Sequence, residues 1–105
     1  MSRLEQLKVF LAADPKDSFT RYAIGLEYLS QKEYSSAITA FEELLADDPA
    51  YIATYYQLAG AYRDHAMAEK AKETYLNGIQ AARKTGDMHT AGELQMALDE
   101  MTEEE

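Results

Sequence analysis

Two Asp-Pro pairs, Asp14-Pro15 and Asp48-Pro49, stand 34 residues apart. Proline cannot sit inside a helix without losing a backbone hydrogen bond, and it pushes the residue before it out of helical geometry. Each pair therefore reads as a chain turn. Identical turns at that interval make a copied structural unit the first thing to test. Laying residues 18–51 over 52–85 passes the test. Tyr22 falls on Tyr56, Ile24 on Leu58, Gly25 on Ala59, Tyr28 on Tyr62, Ala37 on Ala71, Phe41 on Tyr75 and Leu45 on Ile79. Large residues meet large ones and small meet small, as a packed unit copied once requires.

Within each copy the apolar residues recur at helical spacing. In the first, Ile24 and Tyr28 make one stripe and Ala37, Phe41 and Leu44/Leu45 the other, with Gln31-Lys32-Glu33-Tyr34 as connection. In the second, Tyr55, Leu58, Ala59 and Tyr62 are followed, after 64–68, by Ala71, Tyr75, Ile79 and Ala82. Small residues at Gly25, Ala37, Ala59 and Ala71 allow paired helices to approach to ~8–10 Å. Before the first copy, Leu4, Leu7, Phe10 and Leu11 fall on one face of a further helix. After Thr85-Gly86-Asp87, a helix stop followed by an N-cap, Ala91, Leu94, Leu98 and Met101 form the last stripe. Solenoids need such terminal helices to cover their end faces. The expected fold is all-α, with about six helices in antiparallel pairs. One domain over 1–102 is expected: a capping helix 2–14, copies 18–51 and 52–85, a capping helix 87–101 and an acidic tail 102–105.

Composition narrows the function classes. Ala, Leu, Glu, Gln and Lys dominate, and Val9 is the lone valine, a helical bias. No cysteine is present, so disulfides and thiolate metal sites are out. The formal net charge is −9, and Lys84 is the last basic residue before seven acids. Phosphate recognition needs a basic footprint, so neither nucleic acid nor an anionic membrane is expected as partner. A basic or neutral protein or peptide suits the charge better. No stretch approaches a membrane span, and residues 1–10 are amphipathic and not an unbroken apolar signal, so a cytoplasmic location is the default expectation.

These residues resemble the tetratricopeptide repeat family. The family pattern runs bulky residue, Leu-Gly, Tyr, Ala, Phe, Ala and Pro. The first copy reads Arg21, Ile24-Gly25, Tyr28, Ala37, Phe41, Leu44 and Pro49; the second reads Tyr55, Leu58-Ala59, Tyr62, Ala71, Tyr75, Gly78 and Arg83. Arg21 departs from the bulky apolar position, where its stem could lie against the first helix. Arg83 replaces the closing Pro, so that helix should run on to about Lys84. The resemblance implies a right-handed superhelix whose first helices line a concave, peptide-binding groove. The groove residues would be Phe19, Tyr22, Ala23, Leu26 and Leu29 in the first copy and Ala53, Tyr56, Gln57, Gly60, Arg63 and Asp64 in the second. Thr90, Ala91 and Leu94 would follow in the last helix. Tyr28, Tyr62 and Tyr75 match core positions. The family's chaperone-binding branch uses a carboxylate clamp of Lys, Asn and Arg side chains. The matching positions here, Tyr22, Leu26 and Gln57, lack that chemistry.

Catalysis finds no support in the residues. The histidines His65 and His89 lack the convergent ligands of a metal site, and no phosphate loop or activated nucleophile is present. No cofactor is expected. The expected function is a non-catalytic interaction module that binds a peptide or partner protein. The alternative is a self-assembling module, a homodimer covering Val9, Met96 or the Tyr/Leu groove, since a chain this short leaves much surface for its core.

Overall fold

The computed structural model describes residues 1–104, and these contain six α-helices and no strand. Their ends follow from local hydrogen bonding. Helix α1 (Arg3–Ala13) is capped by the Ser2 hydroxyl, which accepts from the Glu5 N–H at 3.1 Å. It stops at Asp14, whose extended backbone donates to the Phe10 carbonyl. Asp17 caps α2 (Ser18–Ser30) by accepting from the Thr20 N–H at 3.2 Å. Helix α3 (Tyr34–Asp47) stops at Asp48 with nearly the same backbone angles as Asp14, so the two Asp-Pro turns are copies in structure too. Helix α4 (Ala53–Asp64) has no side-chain cap. Helix α5 (Ala68–Lys84) runs as long as the missing proline predicts. Asp87 caps α6 (Met88–Glu103).

Three helices end in the same motif. After α2, the Glu33 N–H reaches the Tyr28 carbonyl at 2.9 Å and the Lys32 N–H the Leu29 carbonyl at 3.0 Å. Met67 to Tyr62 with Ala66 to Arg63, and Asp87 to Ala82 with Gly86 to Arg83, repeat that pair of bonds after α4 and α5. This is a Schellman closure, which needs a left-handed residue at its bend. Lys32, Ala66 and Gly86 supply it with φ of 61°, 61° and 80°.

The chain divides into two compact units, residues 1–51 and a second beginning at Ile52. In the first, α1 packs on α2 and α2 on α3. Leu7, Ala23 and Ile24 form a buried cluster with Leu4, Leu11 and Tyr28 against it, and Ala37, Phe41 and Leu44 are fully buried. Gly25 allows the α2–α3 approach: a Cβ there would lie 2.6 Å from Phe41 Cζ. In the second, α5 packs on both α4 and α6. Its stripe of Ala71, Tyr75, Ile79 and Ala82 is buried, as are Tyr55, Leu58, Ala59 and Tyr62 of α4 and Ala91, Leu94, Leu98 and Met101 of α6. Gly78 is the matching point of close approach, where a Cβ would lie 2.6 Å from Tyr55 Cβ.

Some details differ from the sequence reading. Phe10 does not join the packed face of α1; it is 62% exposed. Leu4, Leu7 and Leu11 recur at three and four residues and already fill the side facing α2, while Phe10 lies about 100° from Leu11 around the helix. Helix α6 continues through Glu103, so Thr102 and Glu103 of the expected tail are helical; Glu105 lies outside the described residues. Tyr28 is half-buried, whereas Tyr62 and Tyr75 are buried. The Arg21 head bonds Asp47 Oδ2 at 2.9 Å and its side chain is only 15% exposed. No helix among the described residues is long and apolar enough to cross a membrane.

Candidate functional site

The first helix of each copy carries the residues expected to meet a partner. On α2, Phe19 is 66% exposed, although the adjacent Thr20 is buried. Thr20 is fixed at the helix start because both its N–H and its hydroxyl donate to the Asp17 carboxylate. Leu26 and Leu29 are half-buried. Tyr22 is also half-buried, with its ring centroid 5.9 Å from Phe41 and 5.5 Å from Tyr51, both tilted. Such tilted pairs are favourable beyond simple area burial. Burial raises the Tyr51 hydroxyl pKa, and the neighbouring Tyr22, Asp17 and Asp48 push the same way, so this phenol stays neutral.

On α4, successive tyrosines point about 100° apart around the helix, and this separates their surroundings. Tyr55 is buried against Gly78, and Tyr56 is 46% exposed. Gln57 is half-buried and Arg63 exposed. Arg63 is held by its neighbour: Nε lies 3.0 Å from Asp64 Oδ1, and Nη1 donates to the Tyr75 hydroxyl at 3.4 Å. The Asp64 bond raises the Arg63 pKa most, with desolvation opposing. Burial raises the Tyr75 pKa and the Arg63 charge opposes it. Arg63 therefore presents a permanent cation beside a neutral phenol.

Three residues assigned to this surface are not available to it. Ala23, Ala91 and Leu94 are 8%, 4% and 0% exposed. Leu94 lies against α5, its Cδ1 3.0 Å from where a Gly78 Cβ would stand, so the face of α6 is spent on packing. The structure adds a small hollow of about 170 Å³ lined by Tyr56, Glu93, Met96, Ala97 and Glu100. Met96, apolar yet off the buried stripe, was the sequence signal for it. Glu93 meanwhile accepts from His89 Nε2 at 2.6 Å, and His65 Nδ1 is 2.8 Å from the Ala61 carbonyl. No group of three or more His, Asp or Glu side chains that could hold a metal comes together among the described residues.

Residues 28–97 match the family model of the tetratricopeptide repeat. The chain belongs to the tetratricopeptide repeat family. It is similar to a tetratricopeptide repeat domain protein from Salinibacter ruber, solved by NMR in solution. The two are 41% identical, with a TM-score of 0.80 over 84% of this chain and 89% of that one. A crystal structure of a tetratricopeptide repeat domain protein from the same organism is 39% identical, with a TM-score of 0.81 over 85% of this chain and 99% of that one. A protein from Bordetella parapertussis shares the fold, with a TM-score of 0.85 at 23% identity, over 99% of this chain and 90% of that one. No curated protein matches the chain. Tetratricopeptide repeats are generally protein–protein interaction modules, and the family is typically non-catalytic.

Proposed function

We propose that this chain is a non-catalytic adaptor that binds a peptide or partner protein through the first helices of its repeats, acting as one domain over residues 1–102. The observation that carries this reading is the exposure of Phe19 and Tyr56, at 66% and 46%, on helices whose opposite sides are buried. An exposed aromatic offers large contact area at small entropy cost, and Tyr keeps a hydroxyl for hydrogen bonding. Leu26, Leu29 and Tyr22 would add apolar surface, and Gln57 and Arg63 polar contacts. A basic or neutral partner fits the −9 charge. The test is selection of binding peptides from a random displayed library, followed by affinity measurement on Phe19→Ala and Tyr56→Ala. Both variants should keep their helix content and lose binding by tenfold or more. Peptides that bind both variants as tightly as the parent chain would refute the reading.

One observation favours a second reading, self-association. Val9 and Phe10 are adjacent and 55% and 62% exposed, more apolar surface on α1 than the sequence led us to expect. Light scattering across a wide concentration range decides it: a dimer that Phe10→Glu dissociates supports self-assembly, and a monomer throughout removes it.

A further inference from the structure

The first unit contains a pocket of about 440 Å³ that the groove reading does not use. Leu11, Ile24, Tyr28 and Ala40 supply its apolar surface. Around them stand Lys8 of α1, Arg21 of α2, and Ser35, Ser36, Thr39 and Glu43 of α3. A pocket of this size, mostly apolar with a few convergent polar groups, is the usual form of a small-molecule site.

Its two ends differ in charge. At one end Arg21 is already neutralised by Asp47 at 2.9 Å, one helical turn beyond Glu43. At the other end, α2 hands over to α3 through the Glu33–Tyr28 bond, which sets Tyr28 near Ser35 and Ser36. The Lys8 ammonium lies 5.7 Å from the centroid of that Tyr28 ring and makes no ion pair among the described residues. Ser36 and Glu43 are seven residues apart on α3, so the hydroxyl end and the carboxylate lie ~10 Å apart along the helix. One end is therefore a cation among hydroxyl donors, and the floor between the ends is apolar.

The cation over the tyrosine belongs to both copies, since Lys70 lies 5.7 Å from the Tyr62 ring centroid, but the hydroxyls belong to the first copy alone. One period on, Leu11, Ile24 and Tyr28 become Leu45, Leu58 and Tyr62, the same type at each place. Ser35, Ser36 and Thr39 become Glu69, Lys70 and Glu73, and Lys8 becomes Glu42, so the second copy keeps a cation at its tyrosine but replaces every hydroxyl and gains three carboxylates. Packing keeps the first set. It does not ask for three short hydroxyls in the second.

We infer that this pocket binds a small amphipathic carboxylate, with its apolar body on Leu11, Ile24 and Ala40 and its anionic head among Lys8, Ser35, Ser36 and Thr39. A carboxylate accepts several donors at once, and charge assistance roughly doubles the strength of each bond. The site is independent of the peptide-binding reading.

The test titrates the full chain with 3-phenylpropionate, indole-3-acetate and octanoate, each beside its uncharged amide, and follows backbone amide NMR shifts. At least one acid should perturb Ser35, Ser36, Thr39 and Ala40, and its amide should bind at least fivefold more weakly. Lys8→Gln should abolish that difference, and Ala40→Leu should block acid and amide alike, with helix content unchanged in both. Absence of binding by all three acids, equal affinity for acid and amide, or shifts confined to Phe19 and Tyr56 would each overturn the inference.

Discussion

Thr20 and Thr54 are both buried, one repeat apart, yet only Thr20 has a partner for its hydroxyl. Thr20 donates to Asp17, three residues earlier, and Thr90 repeats the arrangement with Asp87 at 2.7 Å. The residue three places before Thr54 is Tyr51, which offers no carboxylate. A buried hydroxyl without a partner forfeits its hydration and gains nothing in return. Thr54→Val, which keeps the shape, is expected to stabilise the fold by about 1 kcal/mol, and Thr20→Val to destabilise it by about the same. Urea unfolding of the two variants checks the opposite signs.

The left-handed bends at Lys32 and Ala66 carry a Cβ in a conformation that suits glycine. Lys32→Gly and Ala66→Gly should each raise stability by about 0.5–1 kcal/mol, and Gly86→Ala should lower it by about 1 kcal/mol. Thermal melts of the three variants measure this directly.

Glycines inside helices divide by what surrounds them. A Cβ on Gly92 would meet nothing within 4 Å, so Gly92→Ala should stabilise by up to about 1 kcal/mol through helix propensity alone. On Gly78 the same methyl would lie 2.6 Å from Tyr55 Cβ, an atom fixed to its backbone. Overpacking outweighs propensity there, and Gly78→Ala should cost about 1–3 kcal/mol. Gly25→Ala would drive its methyl to 2.6 Å from Cζ of the fully buried Phe41 ring and should likewise cost about 1–3 kcal/mol. Paired denaturant curves rank all three.

The Asp87 carboxylate accepts from the Thr90 hydroxyl and N–H, and these bonds hold its pKa below the ordinary 3.8. Because the folded value is depressed, its contribution is fully present above the unfolded pKa and is lost as pH falls through the folded one. The stability difference between the parent chain and Asp87→Ala should therefore be constant near neutrality and shrink below about pH 4. An NMR titration of the side-chain carboxyl carbon should give a midpoint below 3.8.

Much of this fold was legible because a copied unit doubles every signal. Ala71, Tyr75, Ile79 and Ala82 read as one stripe and are buried as one, and the absent proline at Arg83 foretold the length of α5. What periodicity hides is which side of an apolar stripe a neighbour uses. Leu94 and Ala91 suited both the core and the groove, and packing on α5 took them. Phe10 sat close enough to Leu11 to look buried, but α1 packs on α2 through three leucines and has no room for a fourth large side chain. The pocket around Lys8 drew on three helices, and no window along the chain brings its residues together. On the candidate surface, the sequence pointed to Phe19 and Tyr56, and it separated Tyr56 from the buried Tyr55 beside it.

The close approach of Tyr55 to Gly78 also constrains how this chain can diverge. One repeat earlier the same two positions hold Arg21 and Leu44, both large, with the Arg21 head bonded to Asp47. Tyr55 meets a partner position without a side chain, whereas the position of Arg21 is paired with a fully buried leucine. A leucine at Gly78 alone would clash with Tyr55, and a glycine at Leu44 alone would leave a void, so this position can be exchanged between the copies only with a compensating change in its partner.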